Sequence, residues 1–264
     1  MQGKREEILD STIISHLETS FHLVKALDIG LYVLPFLERT SLKNLSVRNI
    51  DKIFTSIEKI LPKNLTVCIE SDLSPKDLTE LTKRINMEKF KINYDIGNSG
   101  HEGYNYKEEL DSYFQFIFNV HVKDRKFNGP SVPLGEGDSK VFEVIEELKT
   151  KGNIQIKILL HSLAFGALKP FIDNSAKNIL QQRQIEMTMD VMANSIVYWS
   201  QDLFQAGLIK KGSQIFVMTS SGSHKQWKSY GAISGAKASL ESYIRQLAIE
   251  LSKYGIAANA IQAG

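Results

Sequence analysis

The chain alternates β-branched runs with segments of helical periodicity, and this alternation limits the fold more than any other feature. The extended runs lie at 31–37, 65–71, 91–97, 116–124, 154–162, 213–221 and 256–264. Between them, apolar residues recur at helical spacing, most clearly in 50–61 and 240–251. Apolar strands separated by helices indicate parallel βα units, so we predict an α/β fold.

Composition narrows the class of protein. The 264 residues are 42% hydrophobic, which is enough to form a core. Their net charge of +2 does not indicate binding to nucleic acid or to an anionic membrane. No apolar run approaches the roughly 20 residues of a membrane span. The charged start, MQGKREE, is unlike a signal peptide, and the single Cys68 excludes a disulfide framework. We therefore expect a cytoplasmic protein that acts on a small molecule and binds neither nucleic acid nor membrane.

The two halves of the chain differ in spacing and in the chemistry of their strand ends. Early strands follow one another closely, whereas 59 residues separate the starts of the strands at 154 and 213 and include a long helical region at roughly 175–206. Polar side chains end three early strands: Glu70, Asp95 and His121. Hydroxyls, glycine and alanine dominate the later ends. Because α/β proteins bind ligands at the carboxyl ends of their strands, we predict two kinds of site.

Glu70, Asp95 and His121 are 25 and 26 residues apart, and two carboxylates with an imidazole suit a hard or borderline divalent cation. Spacing alone favours solvated or capping residues, which any α/β protein has at its strand ends.

Three segments give the first half a family resemblance: INYDIGNS (92–99), VHVKDR (120–125) and PLGEGDSKVFEVIEEL (133–148). With them, residues 20–153 resemble the sugar phosphate isomerase/epimerase family, which has a xylose isomerase-like barrel. The resemblance implies that Glu70, Asp95 and His121 are three of four ligands of a divalent cation. It also implies proton transfer next to a carbonyl group. The family's fourth ligand has no counterpart, because His161 and Ser162 stand where a Glu is expected.

The second half contains Tyr230 and Lys237 near the start of an amphipathic helix. A hydroxyl and an ammonium two helical turns apart can face one cavity, where the ammonium would stabilise the tyrosinate and make the phenol a usable proton donor. The same pair is also typical of a core aromatic residue followed by a solvated charge.

Three further segments accompany this pair: LLHSLAFG (159–166), IFVMTSSG (215–222) and NAIQAG (259–264). Their order and spacing resemble the short-chain dehydrogenase/reductase family over residues 154–264. The Y-x6-K spacing is similar to that of the enoyl-acyl carrier protein reductase branch, since Ile233 stands where the commoner spacing places the tyrosine.

The resemblance implies a role for each matching residue. Tyr230 would donate a proton to the substrate or hold its carbonyl, Lys237 would bind the nicotinamide ribose, and Ser220 would replace a second catalytic tyrosine. The residues expected to line the nicotinamide are Ser162, Ala164, Ile261 and Ala263. The family's glycine-rich turn, which cradles the cofactor pyrophosphate, is not found before residue 154.

These patterns predict a composite of parallel βα units. Residues 1–153 would be a partial isomerase-like (βα) barrel segment, hence a partial TIM-barrel-like half, and residues 154–264 a partial Rossmann-like reductase segment. The strand at 154–162 could join the sheet of the first half, join the sheet of the second half, or bridge both. Exposed sheet edges would favour a homo-oligomer.

Three functions follow from this composite. The first hypothesis is a reductase that uses NAD(P)H on an enoyl- or keto-thioester-like substrate and is impaired by the missing phosphate loop. The alternatives are a divalent-metal-dependent sugar phosphate isomerase or epimerase, and a non-catalytic composite of two enzyme fragments.

Overall fold

The computed structural model describes residues 11–152 and 155–263. The chain divides into two compact units, Met1–Gly152 and Asn153–Gly264. The predicted boundary at 153/154, the outer ends of the strands predicted at 154–162 and 256–264, and the charged N-terminal segment 1–10 lie outside the described residues. None of the described helices is long and apolar enough to cross a membrane.

The first unit contains a parallel sheet in the order β1–β2–β3–β4. Its strands are β1 (Leu31–Phe36), β2 (Thr66–Ser71), β3 (Phe90–Asp95) and β4 (Ile117–His121). A short antiparallel hairpin, β5 (Asp124–Arg125) and β6 (Ser131–Val132), follows β4. The helices are α1 (Ser11–Ala26), α2 (Val47–Ile60), α3 (Pro75–Thr82), α4 (Ile96–Glu102), α5 (Tyr106–Tyr113) and α6 (Val141–Thr150).

Helix α2 shows how the predicted apolar stripe packs on this sheet. Ser46 caps the helix, because its hydroxyl accepts the backbone N–H of Asn49. The stripe faces the core and includes Phe54, whose ring meets the Phe90 ring of β3 edge-on with 5.2 Å between centroids. This packing fixes α2 against the amino-terminal end of β3.

The second unit has its own parallel sheet, in the order β7–β8–β9. Its strands are β7 (Ile158–His161), β8 (Gln214–Ser220) and β9 (Ala257–Ala263). Its helices are α7 (Gln182–Met189), α8 (Ser195–Gln205) and α9 (Gly231–Ser252), with a π-helical turn at Asp190–Asn194. The core lies between the sheet and the helices, where Leu240, Ile244 and Leu247 of α9 pack with Ile215 and Val217 of β8.

Both larger sheets are parallel and flanked by helices, so the α/β prediction is confirmed. The strand predicted at 154–162 forms only at Ile158–His161 and pairs with β8 inside the second unit. In the described residues, β1–β4 form an open sheet rather than a closed barrel.

Three predicted boundaries are wrong, each for a local reason. The strand predicted at 91–97 ends at Asp95, because the Asp95 side chain caps α4 by accepting the Asn98 N–H. The strand predicted at 116–124 ends at His121, and Asp124 belongs to the hairpin. The helical region predicted at 175–206 begins only at Gln182.

Asp173 explains that late start. Its side chain accepts the Ser175 N–H and an Asn178 amide proton, so this segment adopts a turn in place of a helix.

Candidate functional site

The first candidate site lies at the carboxyl ends of β2, β3 and β4. Glu70 is the penultimate residue of β2, while Asp95 and His121 end their strands and face each other in the sheet register. One ligand atom from each of the three residues lies within 4.8 Å of the other two. The structure therefore brings together the three residues predicted to bind a metal.

A β-bulge in β4 makes this convergence possible. Ile117 pairs with Ile92, but the register then shifts, so that Asn119 pairs with Asn93 and His121 with Asp95. Without the shift, side chains of β4 beyond Phe118 would alternate in the opposite sense, and Val120 would stand beside Asp95.

Amide side chains surround Glu70 and were not predicted from the sequence. Asn98 donates to Glu70 Oε1 and Asn93 donates to Glu70 Oε2, each at 2.8 Å. Asn119 donates to Asn93 Oδ1, and Arg125 donates to Asn98 Oδ1. The signal that could have revealed part of this network is the two-residue polar alternation at 93/95 and 119/121/123.

Asp95 is the most enclosed member of the cluster, with a side chain only 2% exposed. Its Oδ1 accepts the Asn98 N–H, whereas its Oδ2 lies 2.8 Å from Lys123 Nζ and 3.5 Å from His121 Nδ1. Burial alone would raise the pKa of Asp95, but the close contacts with His121 and Lys123 outweigh burial and hold this pKa below its usual range. The carboxyl group is therefore ionised at neutral pH.

The pKa of His121 is shifted in the opposite direction to that of Asp95. Hydrogen bonding to Asp95, and then to Glu70, raises the pKa of His121 to about 9 despite partial burial. Two buried carboxylates beside an imidazole form a donor set that suits a divalent cation such as Mn²⁺ or Zn²⁺. The residues present therefore fit a metal ion, with three side-chain ligands from the described part of the chain.

The second candidate site lies at the carboxyl ends of β7 and β8. Lys237, in the second turn of α9, is 6% exposed, and its ammonium donates to the Met218 and Leu163 carbonyls at 2.6 and 3.2 Å. Burial lowers the pKa of Lys237. Two carbonyls use two of its three protons, which leaves one donor for a ligand.

Tyr230 immediately precedes α9 and is not part of its helical face. Its ring packs edge-on against Trp227, and a Cβ at Gly222 would lie only 2.6 Å from Tyr230 Cε1, so Gly222 permits this close approach. Tyr230 and Trp227 line an open groove of about 320 Å³ with Phe171. In the described residues, Lys237 is not part of that lining, so a cavity shared by Tyr230 and Lys237 stays a prediction.

The remaining predicted residues are placed at the same strand ends. Ser220 ends β8, and its hydroxyl accepts the Gly222 N–H. Ser162 and Ala164 follow β7, Ile261 and Ala263 lie in β9, and all four are exposed. They border an open surface at the ends of three parallel strands.

His161 was not predicted as a functional residue. It is the buried last residue of β7, and its Nε2 donates to Ser195 Oγ at 2.8 Å, because that hydroxyl itself donates to the Val191 carbonyl. Burial, and then the nearby Lys237 charge, lowers the pKa of His161 to about 4. The signal in the sequence is a lone histidine directly after an apolar strand.

The glycine-containing loop at 133–137 does not form a phosphate cradle. The backbone N–H groups of Gly135, Gly137 and Ser139 donate to the Asp124 carboxylate at 2.9, 2.9 and 3.2 Å. A Cβ at Gly137 would collide with Asp124 Oδ1. An internal carboxylate therefore occupies the position in which such a loop would bind an anion.

Comparisons with known proteins find similarity to reductases. A family model described as enoyl-(acyl carrier protein) reductase matches residues 136–264. The chain is 30% identical over 105 residues to 1-cyclohexenylcarbonyl-CoA reductase of Streptomyces collinus, covering 38% of this chain and 37% of that protein. It is 28% identical over 129 residues to the enoyl-[acyl-carrier-protein] reductase [NADH] FabI of Rickettsia prowazekii, covering 47% and 46%. The chain thus spans about half the length, or less, of the curated relatives it matches.

Solved structures give weaker likenesses. An enoyl-[acyl-carrier-protein] reductase (NADH) from Aquifex aeolicus VF5 aligns with a TM-score of 0.43 and 21% identity, covering 72% of this chain and 65% of that chain. A xylose isomerase domain protein from Planctomyces limnophilus aligns with a TM-score of 0.43 and 17% identity, covering 54% and 56%.

Proposed function

We propose that the second unit belongs to a nicotinamide-dependent reductase of the short-chain type that acts on an enoyl- or keto-thioester. The observation that carries the proposal is Lys237, a buried ammonium held between two strand-end carbonyls with one donor left. A lysine ammonium is costly to bury unless it is bonded, so its placement at a ligand-binding edge supports a functional role. The match to the enoyl reductase model over 136–264 supports the same reaction class.

The residues at this edge fit the reactive end of a nicotinamide nucleotide. Lys237 would donate its remaining proton to a ribose hydroxyl, while Ser162, Ala164, Ile261 and Ala263 would border the ring. When bound, the nicotinamide supplies the hydride. Tyr230, in the adjoining groove, would bind the thioester carbonyl and donate a proton to its oxygen as charge develops there.

Fewer groups are available to bind the pyrophosphate of the nucleotide. In the loop at 133–137, the Gly135 and Gly137 N–H groups bind Asp124, so these two groups are not available to a phosphate. The contacts proposed for the second unit reach only the nicotinamide and its ribose. We expect modest affinity for NADH and NADPH, with binding improved by the thioester.

Binding and turnover test this proposal together. Thermal shift with NADH and with NADPH, followed by NADH oxidation in the presence of crotonyl-CoA, should give a stabilised protein and thioester-dependent oxidation. A chain unaffected by either nucleotide at saturating concentration, and inactive with the thioester, would favour a non-catalytic composite.

The convergence of Glu70, Asp95 and His121 favours a second function, divalent-metal binding by the first unit. The three side chains would hold the ion, which would polarise a substrate oxygen next to a carbonyl, as isomerases and epimerases require. Asn93 and Asn98 would orient the Glu70 carboxylate for this purpose.

Elemental analysis after equilibration with Mn²⁺ tests the second function. Wild-type protein should retain the metal, Glu70→Gln should lose it, and the exposed control Glu88→Gln should behave as wild type. If Glu70→Gln retained the metal, the ion would be bound at another site and this assignment would be wrong.

A further inference from the structure

Neither proposed function uses the Lys123 side chain of the first unit. Its ammonium lies 2.8 Å from Asp95 Oδ2, inside the cluster that would bind a metal. We propose that Lys123 is a built-in cation of the Glu70–Asp95–His121 cluster, which competes directly with a divalent ion and must leave Asp95 before the ion binds. This inference rests on the second proposed function.

Charge balance is the first argument. Glu70 and Asp95 are both buried carboxylates, and an uncompensated charge in such a position is strongly destabilising. Besides His121, the cation at Asp95 Oδ2 is Lys123. In the metal-free protein, the ammonium therefore balances the charge of the carboxylates, as a bound metal ion would.

Packing of the Lys123 stem is an independent argument. Gly97 lies in the first turn of α4, and a Cβ there would collide with Lys123 Cγ and lie 2.8 Å from its Cε. Only a residue without a side chain lets the methylene stem lie along the helix backbone and carry Nζ to Asp95. The approach of Lys123 is therefore built into two elements of the fold.

The same geometry makes the exchange feasible. The Lys123 side chain is 39% exposed, so it can rotate into water without first opening a core. An ammonium and a divalent cation that both contact Asp95 Oδ2 repel each other at short range, so binding of the ion favours a Lys123 rotamer that has left Asp95. Wild-type affinity for the ion should therefore be weaker than its three ligands alone would give.

Calorimetric titration of the full chain with MnCl₂ tests the competition. Lys123→Met keeps the stem and removes the charge, and we expect Mn²⁺ to bind about tenfold more tightly than to wild type. Lys126→Met, an exposed charge three residues further along, is the matched control and should leave the affinity unchanged. A purely structural Lys123 would give the opposite result, because loosening the cluster weakens binding.

Each outcome decides one point. Tighter binding to Lys123→Met alone supports the inference, whereas equal or weaker binding overturns it and leaves the metal site standing. Absence of Mn²⁺ binding by wild type and Lys123→Met overturns both proposals for the first unit. If Lys123→Met does not fold, Gly97→Ala displaces the stem with every charge retained. Tighter binding to this variant supports the competition, and unchanged or weaker binding overturns it.

Discussion

The two strand-end sites neutralise buried charge by different means. In the first unit, Glu70 and Asp95 are balanced by His121, by Lys123 and by amide side chains. In the second unit, the Lys237 ammonium is balanced by two backbone carbonyls, and the neighbouring His161 is buried neutral. Equivalent edges of two parallel sheets thus shift histidine pKa values in opposite directions, which shows that local partners rather than topology set the chemistry.

The largest expected effect is a loss of turnover at the second site. Tyr230→Phe removes the proposed proton donor and should reduce thioester-dependent NADH oxidation by about 10²- to 10⁴-fold, the usual contribution of general acid catalysis. Nucleotide binding should persist, because Lys237 remains. Steady-state kinetics with the matched control Tyr254→Phe checks this, and unchanged turnover in Tyr230→Phe would exclude the assigned role.

The next effect concerns the stability of the first unit. Asp95→Ala removes the cap of α4 and takes the carboxylate partner away from Lys123 and His121, so we expect a loss of about 3–4 kcal/mol in the free energy of unfolding. Backbone hydrogen exchange of β3 and β4 measures it, with Asp77→Ala on α3 as the control. Tryptophan fluorescence should barely change, since both tryptophans, Trp199 and Trp227, lie in the second unit.

The sequence identifies the strand-end residues of both sites, because parallel βα units place the last residues of their strands at one edge of the sheet. It did not predict the bulge at Phe118, which turns His121 towards Asp95, since a register shift has no local pattern in apolar and polar alternation. Nor did it predict Lys123, whose approach depends on contact with Gly97 across the fold. Tyr230 and Lys237 were identified as a pair, but only three-dimensional packing shows that one lines the groove and the other binds strand carbonyls.

The pH dependence of stability should also differ between the two units, and in the second unit it depends on His161. The folded pKa of His161, about 4, lies below the ordinary value of 6.5, so stability is fully present above pH 6.5 and declines as the pH falls towards 4. The loss should reach at most roughly 3 kcal/mol. Urea unfolding followed by tryptophan fluorescence measures it. His161→Gln should flatten this acid limb, and the exposed His224→Gln should not.

The first unit should respond in the opposite direction and more weakly. The folded pKa of His121, about 9, lies above 6.5, so its contribution is fully present below pH 6.5 and is lost as the pH rises through 9. Because the His121 side chain is 43% exposed, solvent screening should keep the loss under about 1 kcal/mol. Pulse proteolysis in urea, with peptides of residues 11–152 identified by mass, measures the first unit in metal-free buffer. His121→Gln should abolish the alkaline decline and His22→Gln should preserve it. An equal decline in all three proteins would mean that the ion pairs of His121 do not stabilise the metal-free cluster.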